Sequence, residues 1–193
     1  VRTTTSARRA AVIAQSGGMG FGVMHRALKA GIPISYTIST GNEADVTLAD
    51  CLEYMVEDAN THVIALFLES VRDVAKFEAG CARALELDKP IVAIKVGRSI
   101  AGQRAAASHT ASIAGWSAAY DAFFAKYAVI PCADLSESTA LLGVLTTCPE
   151  LKGNRVGVLT PSGGAGAMIS DAMERHGFVL PILSEAVQAK IRP

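Results

Sequence analysis

The sequence has no excess of either charge: eighteen basic residues balance eighteen acidic ones, and charged residues make up only 19% of the chain. No field of one sign is available to gather nucleic acid or an anionic membrane surface, so any anion has to be bound by local geometry. Long apolar runs are missing too. Nothing approaches the roughly 20 residues of a membrane span, and no charged-then-apolar leader opens the chain, so neither a nucleic acid nor a membrane is expected as a partner. The four cysteines, Cys51, Cys81, Cys132 and Cys148, form no CxxC pair. They read as small buried hydrophobes in a reducing cytoplasm, and no metal site is expected.

What the chain does have is material for a core. Half of its 193 residues are hydrophobic, which argues against disorder and suffices for one large α/β domain and a piece of a second. The chain does not begin with Met, and Arg192-Pro193 follows a helical pattern just begun at Ser184. It therefore reads as one piece of something larger.

Residues 10–14 (AAVIA) form a short apolar run that stops at Gln15-Ser16-Gly17-Gly18, after which Phe21, Met24, Ala27 and Leu28 recur at helical spacing. Ile34 to Ile38 is a second strand candidate. Leu48, Cys51, Leu52 and Met55 mark a helix with Asp45 as its expected cap. His62 to Leu68 is apolar nearly throughout, as is Ile91 to Val96, the pattern of strands covered on both faces of a parallel sheet. Between them Val74, Phe77, Cys81 and Leu85 mark another helix. A helix through Tyr120, Phe123 and Phe124, a short strand at 128–130 and a helix from Ser136 follow. Strands alternating with helices specify a doubly wound parallel sheet, because each parallel crossover needs a covering helix, and the expected architecture is flavodoxin-like.

The pattern places that domain at 1–147 and a linker at 148–154. A second related module then opens at 155–193 with a strand at Val156 to Thr160. Here the chain repeats itself. Ser16, Gly17, Gly18, Gly20 and Gly31 return as Ser162, Gly163, Gly164, Gly166 and Gly177, all five displaced by one offset.

A strand that breaks at Ser-Gly-Gly into a helix leaves unpaired backbone N–H groups, to which the helix dipole adds about half a positive charge. Such an end attracts phosphate, and glycine lets the anion approach the backbone. A lone Ser-Gly-Gly is as well explained by an ordinary tight turn, but two copies favour the phosphate-binding reading. The stretch from Gly97 to Gly115 (GRSIAGQRAAASHTASIAG) far exceeds the roughly 2–6 residues usual for an α/β connection, and it holds His109 between Ser108 and Thr110. By strand direction, Ser16-Gly17-Gly18, Glu69 and this stretch fall on the carboxyl edge of the sheet, where such folds gather ligands. Glu69 ends an otherwise apolar strand. It fits a carboxylate that holds one imidazole N–H so that the other nitrogen can attack phosphorus, chemistry that a pKa near 6.5 suits. The other histidines fit poorly: His62 opens a strand at the opposite edge, and His25 and His176 lie within or at the ends of helices.

The stretches AQSGGMGFG, STGNEADVTLADCLEYMVED, LFLES, KVGRSIAGQRAAASHTASIAG and LTPSGGAGAMISDA resemble the NDP-forming acyl-CoA synthetases, relatives of succinyl-CoA synthetase, over nearly the whole chain. The resemblance implies that His109 of the SHT motif is phosphorylated and that Glu69 orients it. It further implies that two helices, one from each module, present Ser16, Gly17, Gly18 and Ser162, Gly163, Gly164 to the phosphate. The implied reaction joins acid, CoA and ATP into acyl-CoA, ADP and phosphate through an acyl phosphate. No tightly bound cofactor is implied. ATP or ADP with Mg, and coenzyme A, are substrates sited largely on other domains. The implied partners are a CoA-binding Rossmann domain, an ATP-grasp domain or subunit, and a small carboxylic acid or acyl-CoA, and an oligomer is expected. Ala111 departs from the family's usual glycine after SHT.

Two rival readings stand beside this one. A regulatory module, as in synthetase-like protein lysine acetyltransferases, would bind acyl-CoA without being phosphorylated, and the retained His109 weighs against it. A flavodoxin-like FMN binder would use the same turn, but aromatic flanks for stacking are sparse near it, with Phe21 and Tyr36 as the nearest candidates.

Overall fold

The computed structural model describes residues 8–102, 104, 117–148 and 153–191. By internal contacts the chain divides into two compact units, Val1–Pro149 and Glu150–Pro193.

The first unit alternates β1 (Ala10–Ala14), α1 (Gly17–Lys29), β2 (Ile34–Ser39), α2 (Leu48–Glu57), β3 (Val63–Leu68), α3 (Val74–Glu86), β4 (Ile91–Lys95), α4 (Ser117–Lys126), β5 (Ile130–Cys132) and α5 (Leu135–Thr147). All strand pairs are parallel, in the order β2-β1-β3-β4-β5. This is the flavodoxin-like arrangement that the alternation of elements anticipates, and its strand order reverses between β1 and β3.

Every residue of β1, β3 and β4 is buried. Alternate side chains serve opposite faces. Ala11, Ile13, Ile64, Leu66 and Leu68 pack with Leu52, Met55, Phe77, Cys81 and Phe124 from α2, α3 and α4. Ala10, Val12, Ala14, Ala65 and Phe67 pack with Val23, Ala27 and Leu142 from α1 and α5. Two-sided burial is why these strands read as unbroken apolar runs.

Helix ends follow local chemistry. Asp73 accepts from Lys76 N–H, and Asp134 from Ser136 and Glu137 N–H. The expected cap Asp45 is not the one used: Thr47 is, in a reciprocal box with Asp50, because that pair has the three-residue spacing the box requires. Four helices close alike. Gly31, Asp88, Ala128 and Gly177 take positive φ, and the next residue, Ile32, Lys89, Val129 or Phe178, donates its N–H five residues back.

That motif also corrects the strand expected at 128–130. Ala128 sits at φ 52 and Val129 N–H bonds Phe124 C=O, so the chain is still leaving a helix, and β5 begins at Ile130. The last helix of the unit begins one residue before Ser136, at Leu135. Three cysteines are buried as expected, and burial pushes the Cys81 thiol up to about 12. Cys148, beyond the end of α5, is exposed instead.

In the second unit α6 (Gly163–Arg175) and α7 (Glu185–Ile191) are helical. The strand expected at Val156 to Thr160 is absent among the described residues. Only an isolated parallel bridge, Arg155 with Val179, remains, because a strand requires a continuous ladder.

Candidate functional site

Three adjacent strands end on one edge. β1 leads through Gln15 into Ser16, Gly17 and Gly18; β3 leads into Glu69 and Ser70; β4 leads into Val96, Gly97 and Arg98. This edge lies at the β1/β3 switch point, where the two crossovers leave in opposite directions and open a crevice.

Ser16 is the N-cap of α1, but its hydroxyl makes no capping bond to its own helix, so the first-turn amides are not capped by that side chain. A Cβ on Gly20 would stand 2.8 Å from that of Ala14, so glycine there lets the helix begin flush against β1. In the second unit Ser162 caps α6, accepting from Ala165 N–H at 3.3 Å. Gly163 and Gly164 are exposed in the same unit.

Glu69 is half-buried, and its backbone is held on both sides. From the β1 end, Gln15 Oε1 accepts from Glu69 N–H at 2.6 Å and Ser70 N–H at 3.0 Å, while Gln15 Nε2 donates to Ser70 C=O at 2.7 Å. From the β4 end, Lys95 Nζ donates to Glu69 C=O at 2.9 Å and Val96 C=O at 2.5 Å. Gln15 is 8% exposed and Lys95 6%. The Lys95 ammonium also lies 4.6 Å from the centre of the Tyr120 ring, a cation–π contact. Burial lowers the Lys95 pKa, Arg98 adds to that, and Glu69 opposes it. Burial also raises the Tyr120 pKa, against a hydrogen bond with the Val71 backbone.

Two further features complete the edge. Glu43, 5% exposed, accepts from Leu48 N–H at 2.8 Å and Thr40 Oγ1 at 3.1 Å and lies 3.9 Å from Arg72, tying the turns after β2 and β3 together. Arg98, at the root of the long connection, pairs with Asp121 of α4 at 2.5 Å. A cavity of about 230 Å³ lies at the other edge, beside Lys89, Pro90 and Ile91. Its position at the amino ends of the strands sets it apart from the switch point. Among the described residues no group of His, Cys, Asp and Glu is placed to hold a metal ion, and no helix is long and apolar enough to cross a membrane.

Residues 7–145 match the model of the succinyl-CoA ligase-like flavodoxin domain. The chain belongs to that family. The alpha subunit of ADP-forming acetate–CoA ligase II from Pyrococcus furiosus is 36% identical over 182 residues, 94% of this chain and 39% of that protein. A trans-feruloyl-CoA synthase from an unknown prokaryotic organism is 35% identical over 181 residues, 93% of this chain and 26% of that one. Among solved structures, a dinucleotide-forming acetyl-coenzyme A synthetase of Ca. Korarchaeum cryptofilum, in complex with phosphate and ADP, superposes with a TM-score of 0.83 at 34% identity. That superposition covers 98% of this chain and 41% of the other. The chain thus spans about two fifths of the length of the first curated relative.

In this succinyl-CoA ligase-like domain, Ser16, Gly17, Gly18 and Glu69 stand at the ends of neighbouring strands. Ser108, His109, Thr110 and Ala111 lie outside the described residues. Ser162, Gly163 and Gly164 open a helix in the second unit. Sequence reasoning missed Gln15 and Lys95. Lys95 had a signal of the same kind as Glu69, an ionisable residue closing an apolar strand.

Proposed function

We propose that this chain is the phosphoryl-carrying part of an NDP-forming acyl-CoA synthetase, with His109 as the carrier. The observation that carries the reading is the shared strand edge: the Ser16-Gly17-Gly18 turn, Glu69 and the root of the SHT segment leave three neighbouring strands at the switch point. Relatives named as ADP-forming acetate–CoA ligases, and a structural neighbour in complex with phosphate and ADP, support it.

In the proposed route CoA leaves acyl-CoA as phosphate attacks the carbonyl, giving an acyl phosphate. A nitrogen of His109 then attacks phosphorus. The P–N bond forms as the P–O bond to the carboxylate breaks, and the carboxylate departs with the electron pair. A β-phosphate oxygen of ADP next attacks the phosphohistidine, the P–N bond breaks, and the electrons return to the imidazole. Glu69 would hold the other ring N–H, fix the tautomer and stabilise the charge that develops. The uncapped start of α1 would receive phosphate oxygens, and Ser162-Gly163-Gly164 offers the same chemistry in its own unit. The repeat of the Ser-Gly-Gly turn supports taking 155–193 as the opening of a second module of the same kind. ATP or ADP with Mg, and CoA, would bind on an ATP-grasp domain or subunit and a CoA-binding domain, in the cytoplasm.

The acid is not fixed by this region. Relatives named for acetate and for ferulate are 36% and 35% identical to it, so acyl selectivity is assigned to surfaces outside it. The test uses the full-length protein with γ-labelled ATP and Mg. An acid-labile, base-stable phosphoenzyme is expected, and it should vanish in His109→Ala. Label that persists in this variant would overturn the assignment.

A further inference from the structure

We infer that Gln15 and Lys95 are positioning residues for the phosphohistidine step, acting through Glu69 by clamping its peptide from both neighbouring strands. This rests on the reading of Glu69 and His109 given above.

The need for a clamp follows from the topology. β1 and β3 run in register up to Ala14 and Phe67, after which β1 turns away into the Ser-Gly-Gly helix start. The ladder on that side ends there, and Glu69 and Ser70 lie just past it. Gln15 supplies the missing partner. Its side-chain amide does what a strand backbone would do, accepting from the N–H groups of both residues and donating to the C=O of Ser70.

On the other side Val96 N–H still bonds Leu68 C=O at 3.0 Å, and Lys95 then reaches past it to the C=O of Glu69. The Glu69 residue is therefore held at its N–H by one strand and at its C=O by the other. A buried amide and a buried ammonium are unfavourable unless well bonded, so both side chains tolerate little displacement of the peptide between them. Lys95 also bonds Val96, the first residue of the connection that bears His109. The same ammonium thus fixes the backbone of the orienting carboxylate and the base of the segment that must present the imidazole to it. A displacement of about 1 Å in such a pair can lower a rate by roughly a hundredfold.

The test measures the rate of phosphoenzyme formation in the full-length protein with γ-labelled ATP and Mg. Lys95→Met keeps the length of the side chain and removes the donor, and Gln15→Met does the same for the amide. Each is expected to lower the saturated rate at least tenfold while the half-saturating ATP concentration stays within twofold, and Lys95→Arg should recover most of the loss. The deciding comparison is made in a Glu69→Gln background, where removing either clamp residue should change the rate less than twofold. Equal losses in both backgrounds, or no loss in either, overturn the inference.

If His109→Ala still labels, or Glu69→Gln labels at the wild-type rate, the underlying reading fails instead, so the two failures are distinct. Should either methionine variant lose its cooperative melting transition, amide exchange in the unaltered protein decides. Slow exchange at Glu69 and Ser70 supports the clamp, and exchange as fast as in an exposed loop overturns it.

Discussion

The two Ser-Gly-Gly turns are nearly the same object in two settings. Ser16 has φ −103 and ψ 117, and Ser162 has φ −106 and ψ 115. Gly20 N–H bonds Ser16 C=O at 2.9 Å, and Gly166 N–H bonds Ser162 C=O at 3.0 Å. Gly31 and Gly177 close their helices at φ 76 and 77, and Ala10 N–H to Pro33 C=O is matched by Val156 N–H to Val179 C=O, both at 2.9 Å. The settings differ in what packs around the turn and its helix. The first copy sits in a five-stranded sheet, whereas the second, among the described residues, has a single bridge and an α6 without a buried residue. Short-range chemistry is thus sufficient for the turn, and the sheet depends on partners far away in sequence.

The largest expected effect comes from one equivalent pair of apolar residues. Ile13 is fully buried and Leu159 is 93% exposed. Ile13→Ala should cost about 4 kcal/mol through lost burial and a cavity. Leu159→Ala should cost less than about 0.5 kcal/mol. Urea unfolding followed by circular dichroism reads both. A large loss for Leu159→Ala in the full-length protein would break the contrast, by showing that its face is covered there.

The same contrast explains what the sequence made legible. Runs such as AAVIA and VIALFL announce doubly covered strands because two faces demand apolar residues at every position. Val156 to Thr160 carries a similar run, but a strand also needs a neighbour, which no local pattern supplies. The miss at 128–130 has another cause: Ala128 takes a helix-closing position that glycine usually marks. Asp45 was the expected cap because it preceded the apolar periodicity, but Thr47 had the box partner at Asp50. On the site edge, glycines and an isolated carboxylate stand out in sequence. Gln15 does not, since a glutamine in a turn looks solvated until the strand tip it bonds is known.

A sharper test reverses sign between the copies. At Gly20 a new Cβ meets the Ala14 side chain at 2.8 Å, with the rigid sheet behind it, whereas at Gly166 it meets Thr160 Cγ2 at 3.3 Å. Gly20→Ala should destabilise by about 2 kcal/mol, because overpacking outweighs the gain in helix propensity. Gly166→Ala should stabilise by about 0.5 kcal/mol, since threonine can yield and the helix gains. Equal shifts in urea midpoint would mean that the two helix starts are packed alike.

The smallest effect on stability separates the serines, and it bears on chemistry. The Ser162 hydroxyl accepts from Ala165 N–H, and the Ser16 hydroxyl makes no capping bond to its own helix. Ser162→Ala should therefore cost about 0.7 kcal/mol as a lost cap, while Ser16→Ala should cost about 0.2 kcal/mol or less. If the Ser16 hydroxyl is held ready for a phosphate oxygen, the order inverts for function: Ser16→Ala should slow phosphoenzyme formation about tenfold with its melting curve unchanged. A hydroxyl idle in stability and idle in phosphoryl transfer would leave the backbone amides of α1 as the whole of that turn's contribution, and Gly18→Pro, which deletes one of them near the start of the helix, would then be the variant that separates the two.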